Sequence, residues 1–430
     1  MAGRKVPPHD ERSATGSSPI ESICRLNCRK EVLDPRQKYV ATMEGLSLKK
    51  DPLLLLARAA GLKRLLPAGM KTALLKYLPY DRYMRHVWAR QEPFPGVEDV
   101  STYPPKVDVR LAIIKSYNFW HQYYSAACRE LGVPYCTIDI ERADWMDQVC
   151  SSGCAAFLTW PSAYLSVWKQ MYDERLAILA LPLGKLVYPE VEAMWIYESK
   201  RRMHYWLAAA GFPHPKTWIF YDRDEAMAFA ETAELPIVTK TDLGAVASGV
   251  RIVRNRGQLR HVVRKAFGSG ILRRGTDRRD RQWSNVLFQR FIPRASEWRI
   301  IRIGESYFGY EKIRIGDFHS GTEQWRYVRP PDNLLNLTRE LTDRGGFTSM
   351  SVDVLLDEAR NFFVNELQGV FGMLNDYACM VDGKIGRMHC DAETGAWQFE
   401  EGDFCRNRMC NLRVEVVLQK LGAQHSSRKA

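Results

Sequence analysis

The chain has 430 residues, of which 46% are hydrophobic and 26% charged, with a formal net charge of +12. That length supports two or three domains, each with a core of its own, and the composition excludes disordered and fibrous classes. No apolar run approaches the roughly twenty residues of a membrane span, and the N-terminus lacks the apolar segment of a secretory signal, so a cytoplasmic location is expected.

The charge is uneven. Residues 1–90 hold 18 Lys and Arg against 8 Asp and Glu, while the remaining 340 residues are close to neutral. Such a region favours anionic partners or simply makes a solvated surface. Ten cysteines are scattered, and the closest pairs, Cys24/Cys28 and Cys150/Cys154, lack the C-x-x-C spacing of zinc or redox sites. Reduced, buried thiols are expected.

In chain order, residues 1–20 are polar and read as disordered. Residues 21–92 read as helical, with leucines interleaved by Lys and Arg at 51–66 and 70–78. Such helices either dock on their own protein or lie at the inner face of an anionic membrane. A proline-rich linker over 91–105 closes this basic N-terminal extension, 1–105. From 106 to 195 strand and helix alternate, which predicts a small parallel α/β domain. Strands are expected at Val109–Ile114, Val133–Ile140, Ala155–Trp160 and Gly184–Tyr188, with helices at Phe119–Leu131, to Cys150, and at Ser162–Leu181. No G-x-G-x-x-G follows the first strand, which argues against a dinucleotide site there.

Residues 196–420 read as α+β. A helix carrying Lys200 is expected to run to Ala210 and stop at Gly211. Beyond it come a strand at Trp218–Phe220, a helix at Asp224–Thr232 and a strand ending at Lys240. Lys240 is followed by the small residues Gly244, Ala245, Ala247, Ser248 and Gly249 and a second strand, Val250–Val253. A lysine beside backbone that can approach closely suits an anion, and the same pattern also suits a plain hairpin. A basic loop follows at Arg273–Arg281. Strands are expected at Val286–Ile292, Arg299–Ile303 and Tyr307–Ile315, and a helix at Pro331–Arg344.

The strands Val352–Leu356 and Asn361–Gln368 flank the turn Asp357–Arg360. A four-residue loop would set Asp353 opposite Val364, with Glu366 and Gln368 on its face. Three converging oxygen donors suit a hard cation such as Mg²⁺ beside nucleotide phosphates.

These pieces in this order resemble the ATP-grasp superfamily of carboxylate–amine ligases over roughly 107–410. The resemblance rests on Lys200, the segment Gly211–Thr217, Lys240 with its loop, and Asp353 followed by Glu366 and Gln368. It implies a pre-ATP-grasp domain followed by a two-lobed ATP-grasp module. It also implies that Lys200 and Lys240 hold the α- and β-phosphates of ATP, and that Gly244, Ala245, Ser248 and Gly249 cover the β- and γ-phosphates. Residues near Gln289, Phe291 and Ile292 would read adenine, and Glu297 the ribose. Arg299, Lys312 and Arg314 would approach the γ-phosphate and the substrate carboxylate, with Mg²⁺ on Asp353, Glu366 and Gln368 and Gly372 nearby. The implied reaction joins a carboxylate, activated as an acyl phosphate, to an amine; the carboxylate would come from a small molecule, glycan or peptide.

The chain departs from the family pattern at Gln368, where asparagine is usual, at Gln289, where an acidic residue is common, and at Thr241, where proline is frequent. No arginine precedes Asp353 directly. A phosphotransferase use of the same fold and a non-catalytic polyanion- or membrane-binding role are the rival readings. No nucleic-acid reading motif is present, which argues against that partner. Trp325, Tyr327, Arg329 and Trp397 form either an acceptor surface or a packed wall, and Trp397–Phe404 a lid or an acceptor edge.

Overall fold

The computed structural model describes Arg85, Trp88, Ala89, Pro93, Phe94 and residues 96–428, apart from 245–247, 274–276, 278, 317–323 and 372–374, with side chains to residue 422. The helices expected over 21–92, and with them any membrane contact, fall almost wholly outside the described residues, as do Ala245, Ala247 and Gly372. Among the described residues no helix is long and apolar enough to cross a membrane.

The first unit is β1 (Leu111–Ile114), α1 (Gln122–Leu131), β2 (Tyr135–Ile138), α2 (Trp145–Ser151), β3 (Ala156–Leu158), α3 (Ser166–Ala180), β4 (Leu186–Tyr188) and α4 (Val191–Ile196). Its strands pair in the order β2-β1-β3-β4, all parallel. Every β1 residue is fully buried, as a parallel strand covered on both faces must be. α1 stops at Gly132, whose φ of 70° ends the helix in the left-handed region.

The second unit is α5 (Lys200–Ala209), β5 (Thr217–Phe220), α6 (Arg223–Thr232), β6 (Ile237–Lys240), β7 (Val250–Val253), α7 (Arg256–Phe267), β8 (Ile271–Leu272), β9 (Arg281–Gln282) and β10 (Val286–Arg290). An antiparallel sheet in the order β5-β10-β6-β7 carries α6 and α7, and Phe220, Ile237, Leu259, Val263 and Phe288 make a small core of their own. Asp222 caps α6 by accepting from Glu225 N, and Asn255 caps α7 by accepting from Gln258 N.

The third unit is β11 (Ser296–Ile303), β12 (Ser306–Lys312), β13 (Trp325–Arg326), α8 (Asp332–Gly345), β14 (Ser349–Leu356), β15 (Phe362–Gln368), β16 (Met380–Val381), β17 (Lys384–Cys390), β18 (Trp397–Glu401) and α9 (Arg406–Arg428). Its antiparallel sheet runs β15-β14-β11-β12-β17-β16, with β13 added on β12 and β18 on β17. One hydrophobic core joins this sheet to the first unit. Ile300 lies fully buried in that core. Ile300→Ala is expected to cost about 3 kcal/mol by deleting buried methylenes and leaving a cavity. A lowered midpoint of chemical denaturation checks it.

Three expectations need correction. The helix expected to run through Lys200 is broken. Glu198 takes a φ of 63°, and Ser199 caps a new helix by accepting from Arg202 N, so Lys200 becomes the first residue of α5. In the acidic hairpin Asp353 pairs with Glu366, not Val364, because the register shifts between Asp353 and Val354 and Asn365 is the extra residue. Trp397–Phe404 is not a lid: β18 is a sheet strand, and Trp397 is buried with its Nε1 donating to Asn336.

Candidate active site

The bulge at Asn365 brings two acidic strands into register. On one face of the large sheet Asp353 of β14 lies beside Glu366 of β15 and Arg299 of β11, while Glu297 of β11 lies beside Lys312 of β12. Side chains alternate along each strand, so these residues and Gln368 share that face. Arg299 grips Asp353 with both forks, Nε to Oδ1 at 2.7 Å and Nη2 to Oδ2 at 2.8 Å. Lys312 donates to Asp353 and, at 2.6 Å, to Glu297 Oε1.

Two lysines reach the same face from the second unit. Lys200 Nζ lies 3.2 Å from Glu366 Oε1 and 3.6 Å from Glu198 Oε2, and donates to the Gly244 carbonyl. Lys240, the last residue of β6, donates to Asn365 Oδ1 at 2.9 Å. Asp242 sets this arrangement. Its carboxylate accepts from Ser199 Oγ at 2.8 Å and Arg201 N at 2.9 Å, and its carbonyl accepts from Lys200 N, so it fixes the start of α5.

The electrostatics follow from burial and pairing. Burial pulls the Lys200 ammonium down, but Glu366, Glu198 and Asp242 outweigh it and hold the ammonium above its ordinary value. For Lys240 burial wins, with Lys200 adding to it, and the ammonium is pushed down to about 8. Burial pushes Glu366 up, yet Lys200, Lys312 and Lys240 hold its carboxyl below the usual range. Asp353 also feels burial, and Arg299 and Lys312 hold it far lower still.

The donor set fits a hard cation. Gln368 Nε2 donates to Glu366 Oε1 at 2.8 Å, which leaves Gln368 Oε1 buried with no hydrogen-bond partner among the described residues. A buried orphan oxygen next to a carboxylate is what a metal or its water would satisfy. Among the described residues no three His, Cys, Asp or Glu side chains are grouped to hold a metal, so the amide would have to complete the set.

Beside the cluster lies a shallow cleft, partly open to solvent, with Lys200 and Lys240 among its lining residues. Met203, Leu207, Leu287 and Val364 give it apolar walls, and Gln289 lies in it with its Nε2 held by Thr217 Oγ1 at 3.1 Å. Phe291 and Ile292 follow the end of β10, are half-buried, and are not among the residues lining this cleft. Glu297 is buried on Lys312 rather than open to a ribose. Arg314 is exposed beyond β12, donating to the Gly316 carbonyl, and is not brought to the cluster.

In the small-residue loop Gly244 has a φ of 138°, and Ser248 Oγ lies 3.1 Å from where its Cβ would be. A Cβ on Gly249 would meet Thr241 Oγ1 at 1.8 Å, so close packing in the hairpin itself demands that glycine. Sequence reasoning missed Asn365, Asp242 and the cleft residues His204 and His214. His204 and His214 stand with ring centroids 5.0 Å apart, and burial lowers the His204 pKa. An Asp two residues after the strand lysine and an Asn just before Glu366 were the available signals.

No family model matches the chain, and no curated protein matches it. Solved structures do. Over 63% of this chain and 72% of the other, it is similar to the ADP complex of N5-carboxyaminoimidazole ribonucleotide synthetase, at 11% identity and a TM-score of 0.46. A RimK-domain ATP-grasp protein of Sphaerobacter thermophilus is 18% identical over 60% of this chain and 90% of its own, with a TM-score of 0.42. The ATP-grasp ligase PsnB, complexed with precursor peptide PsnA2 and AMPPNP, is 14% identical over 63% of this chain and 92% of its own, with a TM-score of 0.43.

Proposed function

We propose that this chain is an ATP-grasp ligase that uses Mg²⁺ and ATP to activate a carboxylate as an acyl phosphate and join it to an amine, releasing ADP and phosphate. In this reading residues 106–195 are the pre-ATP-grasp domain and 196–420 the ATP-grasp module. The observation that carries it is the convergence of Lys200 and Lys240 on the Asn365–Glu366 strand from the facing unit.

Charge balance supports it. Lys200, Lys240, Arg299 and Lys312 face Glu198, Glu297, Asp353 and Glu366, four cations against four anions in a buried site. A triphosphate with its metal adds both signs together. The lysines can then exchange carboxylate for phosphate, and the carboxylates lysine for metal, without a buried charge left alone. Glu366 and Gln368 would hold Mg²⁺, with Asp353 joining once Lys312 turns to phosphate. The ion would supply charge neutralisation between the β- and γ-phosphates.

Lys200 and Lys240 orient the triphosphate, and the cleft walled by Met203, Leu207 and Leu287 takes the adenine. A substrate carboxylate oxygen attacks the γ-phosphorus as the bond to ADP breaks. Arg299 and Lys312 stabilise the charge that develops. An amine then displaces phosphate from the acyl carbon, losing a proton. Tyr310 and Trp325, register partners of Arg299 and Lys312, would border the carboxylate substrate, an amino acid, peptide or acidic sugar.

Hydroxylamine trapping tests the reading. With ATP, Mg²⁺ and a panel of carboxylates, the protein is expected to release ADP and form a hydroxamate from at least one. Phosphorylation of a hydroxyl with no hydroxamate from any carboxylate would count against a ligase.

A further inference from the structure

Arg413 of α9 is fully buried. Its Nε donates to Ser349 Oγ at 3.2 Å, and its Nη1 donates to the Arg408 carbonyl at 3.2 Å and lies 3.9 Å from Cys410 Sγ. The guanidinium carbon lies 5.2 Å from the Trp160 ring centre and 4.7 Å from that of Phe371. Among the described residues Nη2 has no hydrogen-bond partner and no carboxylate pairs with this guanidinium.

Two neighbouring donors share that condition. Trp160 Nε1 and Tyr124 OH are buried without partners among the described residues, their rings pack edge to face at 6.4 Å, and Tyr124 lies within electrostatic range of Arg413. A buried cation without a counter-ion costs free energy that is large against a protein's total stability. Two further unpartnered donors beside one such cation call for an acceptor. The backbone beside it is also unusual. Asn407, Arg408 and Met409 hold φ values of 48°, 54° and 64°, three left-handed residues without a glycine, and this turn delivers the Arg408 carbonyl to Arg413.

We propose that Arg413 Nη2, Trp160 Nε1 and Tyr124 OH bind a small monoanion, a carboxylate or a halide, where α9 meets the C-terminal end of β3. The site is separate from the Lys200–Glu366 cluster, and Ser349 ties it to the end of β15, since Ser349 Oγ also donates to the carbonyl of Gly369, one residue after Gln368. Its test needs no nucleotide.

Thermal unfolding of the full chain is followed in potassium chloride or potassium formate, each against the HEPES anion at equal ionic strength. The unfolded chain releases the anion, so the midpoint depends on free anion even where exchange is slow. The wild type is expected to gain about 3 °C at a hundred times the half-saturating concentration. Formate exceeding chloride assigns a carboxylate, and chloride equal or greater assigns a halide. Arg413→Met should lose the dependence. Trp160→Phe, which keeps the ring but deletes the donor, should raise the half-saturating concentration about tenfold. It decides the matter should Arg413→Met fail to fold. A wild-type midpoint equal in all three salts, or a dependence unchanged in these variants, would overturn the proposal.

Discussion

Glu366→Gln is expected to lower ATP-dependent turnover by about a thousandfold, measured as ADP release at saturating substrates. Among the described residues Glu366 is the one carboxylate in contact with both Lys200 and the orphaned amide of Gln368. Neutralising it removes the negative charge that the metal would need and leaves Lys200 with the more distant Glu198 as its counter-charge. The glutamine keeps the volume and shape of the side chain, so the fold should persist and the loss should lie mainly in kcat. Glu311→Gln is the matched control, because Glu311 is a carboxylate of the same sheet, buried on β12, that pairs with Arg326 instead. That control should stay within about twofold of the wild type. An equal loss in both variants would mean that disruption of the sheet, not loss of the charge, is being measured.

The second large effect concerns pH. Burial pushes Lys240 down to about 8 in the nucleotide-free protein, and only its protonated form attracts phosphate. The charge is therefore present below that pKa and lost as pH rises through it. kcat/KM for ATP, which reports the free enzyme, should be flat below about pH 8 and fall about tenfold per unit above it. Lys240→Arg should remove that limb, since a guanidinium stays charged throughout. Lys240→Met should reduce kcat/KM at pH 7 by roughly 10²-fold or more and leave no limb to observe. A wild-type profile flat to pH 9.5 would separate Lys240 from the phosphates.

Much of the fold can be read from the chain because its strands are buried in distinct ways. Leu111–Ile114 is a continuous apolar run and forms a parallel strand, while Val352–Leu356 is bounded by turn residues and forms an antiparallel one. What escapes sequence reading is irregular backbone. The break at Glu198 and Ser199 depends on Asp242, more than forty residues away, accepting from the start of α5. The extra residue at Asn365 shifts the acidic hairpin by one, and no local pattern encodes a bulge. α7 is absent from the expected elements, although Asn255 as cap and Arg264 and Lys265 in its last turn are legible signs.

The site is legible in its charged residues and less so in its neutral ones. Lys200, Lys240, Asp353, Glu366 and Gln368 meet because Lys200 opens α5, Lys240 ends β6, and the other three lie on strands that the core fixes. Arg314 and Glu297 read equally well as site residues, yet Arg314 lies exposed beyond β12, while Glu297 joins the cluster as a partner of Lys312. Hydrophobic pattern fixes which face a residue takes and not which ion partner it finds.

The most direct measurement is a crystal structure with Mn²⁺ and a non-hydrolysable ATP analogue, read by anomalous difference density. The metal is expected on Glu366 and Gln368, with phosphate oxygens on the ammonium groups of Lys200 and Lys240 and the base between Met203 and Leu287. Nucleotide bound elsewhere, with Lys200 still paired to Glu366, would contradict it.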